Sequence, residues 1–272
     1  RNLNSNTDNL VKSIERMSSG YKINHASDDA AGLSISEHLR TQIRGNAKAI
    51  NNIQDGLNML TIAEGGLSVI GENLQRIREL SVQAANETNA TAERNAILAE
   101  ISARLEDIDR ISKSAQFNKL SLLDGTLSSA KLQVGANSTS INVIDISDVL
   151  SSASDSSTIG VYLDISDTGV TGENWTGDNI RSYITQLDEG LVTINQRRSD
   201  LGAYQNRLES ALENLTIMNE NLQASESRIR DLDIAEESAN MAKQQILQQA
   251  SASVLAQANR MPQIALPLIG GF

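Results

Sequence analysis

The chain of 272 residues contains no cysteine, seven aromatic residues and two prolines, both within the last eleven positions. The missing thiols exclude disulfides, cysteine nucleophiles and thiolate metal sites. A net charge of −11 argues against nucleic-acid binding, which needs a cationic surface. We therefore expect no nucleic-acid partner. No apolar stretch is long enough for a membrane-spanning helix, so we also expect no membrane insertion.

The absence of proline from residue 1 to residue 261 indicates long helices. Proline removes an amide donor and clashes with the preceding turn, so a long helix tolerates it poorly. A core rich in Leu, Ile and Ala and poor in aromatic residues is also typical of packed helices. We therefore predict a mainly α protein, built as a long antiparallel coiled-coil helical rod with a small β-hairpin region.

The first predicted helix covers residues 1–19 and is too weakly hydrophobic to be stable alone. Its apolar positions alternate in steps of four and three, as in a coiled-coil seam, with Thr7 at one of the positions. The apolar members of this seam are Leu3, Leu10, Ile14 and Met17. We expect this helix to pair with the other end of the chain or with a neighbouring subunit.

The next predicted elements are a long helix over about residues 30–85, with its rod at 46–85, and a shorter helix over residues 97–111 that folds back alongside it. Residues 117–178 change character and read as short strands separated by polar turns. The clearest alternation of apolar and polar residues spans residues 160–165, which predicts a strand there.

The strongest periodic signal lies in the second half, where apolar residues recur every seven positions and predict a helix over residues 179–230. These positions are Leu187, Ile194, Leu201, Leu208, Leu215, Leu222 and Ile229. A last helix covers residues 234–258 and is expected to end before Pro262.

Residues for catalysis or ligand binding are not arranged in any recognisable constellation. His25 and His38 are isolated from each other and from any zinc motif. Phosphate-binding glycine loops are missing, and the paired carboxylates lack the spacing of a calcium loop. We expect no enzyme activity, no metal site and no cofactor.

Several segments closely resemble the bacterial flagellins. On the N-terminal side these are IERMSSGYKINHASDDAAGLSIS (14–36), NLQRIRELSVQAANETN (73–89), EISARLEDIDRISKSAQFN (100–118) and LLDGT (122–126). On the C-terminal side they are RRSDLGAYQNRLESALENL (197–215) and SRIRDLDIAEESANMAKQQILQQASASVLAQAN (227–259). The matching segments occur in the family's order.

The resemblance implies a secreted structural subunit that self-assembles into the extracellular flagellar filament for swimming motility. It implies an inner, lumen-lining coiled-coil domain of residues 1–30 with 231–272, and a helical rod of residues 31–230 with its β region at about 117–178. The family's partners are other copies of the subunit, an export chaperone at the C-terminal helix, and the hook-associated junction and cap proteins.

A second implication of the resemblance concerns a patch matching the surface through which many flagellins engage the vertebrate innate flagellin receptor. Its residues here are Gln75, Arg76, Arg78, Glu79, Leu80, Gln83 and Glu100. The same residues could instead serve helix packing, with Arg76 and Glu79 forming an i,i+3 ion pair.

Two alternatives remain open from the sequence: a flagellin-like hook-filament junction protein, and a cell-surface homologue acting as an adhesin. Trp175 and Tyr162 are the aromatic side chains that could offer an adhesin a platform for a sugar. The chain also departs from the family at its ends, so we expect family residues to precede Arg1. The tail 266–272 is unlike the family's usual leucine-rich ending.

Overall fold

A computed structural model describes residues 2–165 and 169–269, and side chains as far as residue 260. Arg1 and residues 270–272 of the tail lie outside the described residues. The helices are α1 (Asn2–Ser19), α2 (Ala30–Ala84), α3 (Thr91–Ser114), α4 (Ser147–Leu150), α5 (Gly177–Arg230) and α6 (Ile234–Ile269). The strands are β1 (Gln116–Phe117), β2 (Leu120–Ser121), β3 (Lys131–Gln133) and β4 (Val143–Asp145), and a 3-10 turn covers Ser140–Asn142.

The chain divides into two compact units. The terminal unit contains residues 1–44 and 219–272, and the middle unit contains residues 45–218. Both long helices, α2 and α5, contribute residues to each unit. The boundaries expected at residues 30 and 231 separate the inner layer of the filament from the helical rod. The division of a single chain does not test them, so they stay a prediction.

The middle unit has a core of α2, α3 and α5, as the periodic apolar residues predict. Leu67 of α2, Ile101 of α3 and Leu201 of α5 are each completely buried in one apolar cluster. Two ion pairs show that α2 and α5 run antiparallel within this unit: Arg78 with Asp188, and Glu64 with Arg198. The mainly α fold with long antiparallel helices is therefore confirmed.

In the described part of the middle unit, the β region contains two separate antiparallel strand pairs. In the first, Phe117 lies opposite Leu120, and the two-residue turn between them has positive φ at both Asn118 and Lys119. Two positive φ values are typical of a type I′ turn, whose twist matches that of the flanking strands. In the second pair, Leu132 of β3 lies opposite Ile144 of β4.

The predicted strand over residues 160–165 is wrong. Val161 is buried and Tyr162 is exposed, as the alternation requires, but this segment pairs with no strand among the described residues. The carbonyl of Val161 instead accepts a hydrogen bond of 2.8 Å from the hydroxyl of Tyr183 on α5. An extended segment that packs against a helix buries every second side chain, so it shows the same alternation of apolar and polar residues as a β-strand.

An aromatic pair lies beside this segment. Trp175 is only 1% exposed, and its ring meets that of Tyr183 in a T-shaped arrangement with centroids 6.3 Å apart. Burial raises the pKa of Tyr183 well above its ordinary value. The tryptophan indole is therefore part of the core of the middle unit.

In the terminal unit, α1 and α6 pack side by side and antiparallel. The amide nitrogen of Asn6 donates to the hydroxyl of Ser251 at 3.0 Å, and that of Gln248 donates to the hydroxyl of Thr7 at 3.1 Å. Pairing of the two chain ends within one chain was one of the two arrangements expected for the first helix.

Helix α6 continues to Ile269, so the predicted helix end before Pro262 is wrong. A proline inside a helix removes one backbone donor and disturbs one turn. Both Pro262 and Pro267 lie within α6, and the helix continues through both positions. Within residues 2–165 and 169–269, no helix is both long and apolar enough to cross a membrane.

Candidate functional site

One exposed face of the middle unit lies along the end of α2 and the middle of α3. Gln75, Arg76, Glu79 and Gln83 of the predicted patch are exposed on α2, and Glu100 of α3 is partly exposed beside them. The helix period places these four α2 residues on one flank of the helix. We call the five residues the α2–α3 face.

Charged side chains within the α2–α3 face bind one another. Arg76 donates from Nη1 to Glu79 at 2.9 Å, the i,i+3 pair anticipated from the sequence, and from Nε to Glu100 on α3 at 3.4 Å. The Glu79 hydrogen bond, followed by the charge of Glu100, raises the pKa of Arg76. The face is therefore an ordered ion-pair cluster, although each exposed pair contributes little stability.

Two further residues, which the sequence did not predict, extend this cluster. Arg104 of α3 binds Glu100 through Nη2 at 3.2 Å and Asn73 of α2 through Nη1 at 3.2 Å. The i,i+4 spacing of Glu100 and Arg104 could have indicated the first contact. The contact with Asn73 depends on how α3 folds back, which no local pattern specifies.

Two predicted members of the patch do not lie on the α2–α3 face. Leu80 is 3% exposed and packs in the apolar core, because its position on the helix points inward with Ile77 and Ala84. Arg78 lies on the opposite flank of α2, where its guanidinium binds the carboxylate of Asp188 through Nε at 2.6 Å and Nη2 at 3.4 Å. That hydrogen bond raises the pKa of Arg78 and lowers that of Asp188.

The seven predicted seam positions of α5 divide between the two units. In the middle unit they are buried in the core, so they hold the subunit itself together; they are Leu187, Ile194, Leu201, Leu208 and Leu215. Leu222 and Ile229 lie in the terminal unit and are only half-buried.

The seam predicted on α1 is only partly turned towards the rest of the chain. Leu3, Leu10 and Met17 are half-buried, but Ile14 is 49% exposed, and Ser13 is buried in its place. The apolar arc of α1 is wider than the contact that one neighbouring helix can cover, so part of it faces outward. Ile14 is therefore not a seam residue within the single chain.

Helix α6 exposes apolar side chains as well. Ile246 and Val254 are well exposed, as is Val11 on α1. An open groove of about 470 Å³ runs between the start of α1 and α6, lined mainly by small and apolar residues such as Leu3, Leu247 and Leu255. Exposed apolar surface of this kind marks a contact site for another molecule.

Net charge is distributed very unevenly between the units. Residues 45–218 contain 23 acidic and 13 basic residues, a net of −10, whereas the remaining residues contain 11 acidic and 10 basic residues, a net of −1. The terminal unit therefore combines exposed apolar side chains with almost no net charge. No group of three or more metal-binding side chains occurs among the described residues.

Family comparisons match most of the chain. A family described as "Bacterial flagellin N-terminal helical region" matches residues 1–128, and one described as "Bacterial flagellin C-terminal helical region" matches residues 184–269.

Individual proteins are similar over nearly the whole chain. A flagellin of Halalkalibacterium halodurans is 45% identical over 269 residues, covering 99% of this chain and 95% of its own length. A flagellar filament core protein of Brachyspira hyodysenteriae is 41% identical, covering 96% of this chain and 92% of its own. The crystal structure of a Bacillus cereus flagellin aligns with a TM-score of 0.50 at 26% identity, over 61% of this chain and 88% of that one.

Proposed function

We propose, since this chain belongs to the bacterial flagellin family, that its terminal unit forms the principal contact between copies in the flagellar filament. The chain is a structural subunit that self-assembles into that filament. The observation that carries the proposal is the exposed apolar surface on both α1 and α6, where Ile14, Ile246 and Val254 face outward although the helices are already paired.

The energetics of the terminal unit support this assignment. Apolar side chains gain about 25 cal/mol for each Å² removed from water, and exposed ones can gain it only from a neighbour. The low net charge of the terminal unit means that little electrostatic repulsion opposes close packing of copies there. A contact between unlike surfaces that does not close on itself generates a helical filament.

Folding and assembly are coupled in this proposal. The polar contacts of Asn6 and Thr7 across the α1–α6 pair are exposed or part-buried. The pair therefore orders fully only when neighbouring copies cover its apolar face. In the filament the pair forms the inner, lumen-lining layer expected for residues 1–30 and 231–272.

Electron microscopy of the purified chain after polymerisation tests the assembly role. Long filaments are expected, and amide exchange in α1 and α6 should slow strongly on assembly while exchange in α2, α3 and α5 of the middle unit changes little. Full protection of α1 and α6 in the dilute free chain would contradict the coupling. Failure to elongate would favour the junction-protein alternative.

We propose the remaining partners by analogy with the family. The chain is secreted into the extracellular flagellum, meets an export chaperone at α6, and joins the hook-associated junction and cap proteins in the finished filament. Its role is structural, without catalysis. An adhesin is disfavoured because Trp175 is buried, which leaves Tyr162 alone of the two proposed sugar platforms.

Recognition by the vertebrate innate receptor is a second proposed property, and it rests on the exposure of the α2–α3 face. Arg76→Ala should reduce receptor signalling by the free chain while filament assembly continues. Arg110→Ala is a matched control, because Arg110 is an exposed arginine on α3 paired with Asp107 in its own helix. Equal signalling by both variants would exclude the face as the contact.

A further inference from the structure

Arg230, the last residue of α5, contacts three residues in two other parts of the terminal unit. Its Nη1 lies 2.7 Å from Oε1 of Glu37 on α2, and its guanidinium carbon lies 4.7 Å from the ring centre of Tyr21. Its backbone carbonyl accepts a hydrogen bond of 2.7 Å from the amide of Lys22. The Arg230 side chain is only 12% exposed, whereas the Glu37 side chain is 54% exposed, so only the arginine end of the ion pair is shielded from water.

A backbone bridge accompanies these side-chain contacts. Tyr21 lies opposite Asp231 in antiparallel pairing, and the amide of Leu232 donates to the carbonyl of Gly20 at 3.0 Å. We call this bridge, with the side chains of Tyr21, Glu37 and Arg230, the Arg230 clasp. It lies where α1 has just ended at Ser19 and α6 is about to begin at Ile234.

The connections of the two terminal helices differ in length. Helix α6 follows α5 after three residues, 231–233, and Asp233 caps its first turn by accepting from the amide of Ala235 at 2.9 Å. Helix α1 is separated from α2 by ten residues, 20–29. Covalent connection therefore fixes the start of α6 closely but leaves the end of α1 free to shift.

The contacts between α1 and α6 compensate for this freedom only weakly. They include hydrogen bonds of Asn6 and Thr7 near the start of α1, and the residue most buried on α1 is Ser13. Hydrogen bonds worth about 1 kcal/mol each near the start of α1 do not by themselves fix the position of its far end.

Near its other end, α1 is held to the linker 20–29 by Lys12, which lies 3.3 Å from Asp28, and by Glu15, which lies 2.7 Å from Nε2 of His25. The Arg230 clasp then joins that linker to the start of α6.

We infer that Arg230 is a positioning residue for self-assembly. By holding Tyr21 and Glu37 together, it fixes the end of α1 beside the start of α6, so that the two outward apolar faces are presented together to a second copy of the chain. This inference rests on the proposed assembly role of the terminal unit.

Arg230→Gln tests the inference, with Arg228→Gln as a control that removes the same charge two residues away. Arg228 is exposed and hydrogen-bonds within its own helix to the carbonyl of Ala224. Losing both the ion pair with Glu37 and the cation–π contact with Tyr21 should raise the critical concentration for polymerisation about tenfold in Arg230→Gln. Arg228→Gln should assemble as the unaltered chain does, and equal critical concentrations for the two variants would overturn the inference.

Two further variants separate positioning from general stability. Arg230→Lys keeps a cation near Glu37 and Tyr21 but loses the planar fork, so it should assemble better than Arg230→Gln. Tyr21→Leu removes the cation–π contact alone and should also be intermediate. The thermal unfolding of the middle unit should be the same in all of these variants, and a defect in assembly that followed a defect in that unfolding would overturn the inference.

Failure of the proposed function gives a different result. If the unaltered chain forms no filaments, the proposed assembly role is wrong. The clasp can still be tested by amide hydrogen exchange at Lys22 and Leu232, whose amides donate across the bridge. These two amides should exchange faster in Arg230→Gln than in Arg228→Gln. Equal exchange would overturn the clasp itself.

Discussion

Gly45 of α2 lies so close to Ala136 that a Cβ on the glycine would be 2.6 Å from the Cβ of Ala136 and 3.2 Å from its Cα. The segment that joins β3 to β4 therefore packs directly on the backbone of α2. Glycine has a lower helix propensity than alanine, which costs stability in a helix interior. The close contact with Ala136 offsets that cost. The close approach is what positions the second strand pair against the helix.

Gly45→Ala should lower the free energy of unfolding by about 1 kcal/mol, since overpacking costs about 1–3 kcal/mol and alanine regains about 1 kcal/mol of helix propensity. Gly65→Ala is the matched control on the same helix, because nothing lies within 4 Å of a Cβ there. That change should raise the free energy of unfolding by about 0.5–1 kcal/mol. Urea denaturation of both variants measures the difference, and an equal gain from both would contradict the packing described.

Asp188→Asn should weaken the middle unit in a pH-dependent manner. The hydrogen bond from Arg78 lowers the pKa of Asp188 in the folded chain, so its contribution is present above the ordinary aspartate pKa of about 3.9 and disappears as the pH falls through the folded value. The melting temperature of the variant should therefore be below that of the unaltered chain at pH 7 and converge with it near pH 2. A difference that persists unchanged in acid would rule out the ion pair as its cause.

Arg197→Met should destabilise the segment around α4. The guanidinium of Arg197 donates to the carbonyl of Ala153 at 2.8 Å and also to those of Val149 and Ser152, and burial lowers its pKa. Removing it leaves these carbonyls without their donor, at an expected cost of about 2–3 kcal/mol in the free energy of unfolding.

Arg207→Met provides the comparison for Arg197→Met, because Arg207 is exposed on the same helix and lies over the ring of Tyr204. Its loss should cost less than about 1 kcal/mol. If calorimetry gave similar values for the two methionine variants, Arg197 would not be the anchor of this segment.

Leu201→Ala and Ile14→Ala should separate folding from assembly. Leu201 is completely buried in the middle unit, so its truncation should cost about 2–5 kcal/mol of unfolding free energy. Ile14 is half exposed on α1, and its truncation should change that free energy by less than about 0.5 kcal/mol while raising the critical concentration for polymerisation. Sedimentation and urea denaturation measure the two effects, and a large loss of stability in Ile14→Ala would place it in the fold of the single chain.

Long-range periodicity explains why the helices could be predicted. Apolar residues repeated every seven positions from Leu187 to Ile229 specify a helix that must bury one stripe, whatever its neighbours are. Propensity alone cannot decide a short segment such as residues 160–165, where packing on α5 and the hydroxyl of Tyr183 replace a partner strand. The predicted helix end before Pro262 is wrong because the preference of proline for helix ends is local, and the helix continues on both sides of it.

The candidate surfaces were less predictable than the helices for a related reason. Six of the seven residues of the predicted receptor patch lie within residues 75–83, and a helix distributes such a stretch around its circumference. The helix therefore buries Leu80 in the core and brings Arg78 beside Asp188. Arg76 and Glu79 lie on its exposed side. The Arg230 clasp joins residues from three distant segments, so spacing along the chain carries no signal for it.

Trp175 is the one tryptophan of the sequence, and its buried indole next to Tyr183 gives the middle unit its own optical signal. Its fluorescence should be blue-shifted in the folded chain and should report the melting of that unit alone. Far-UV circular dichroism, in contrast, counts helical residues wherever they lie. A melt followed by both methods would therefore reveal, without any label, how much helix in α1 and α6 is lost before the core opens.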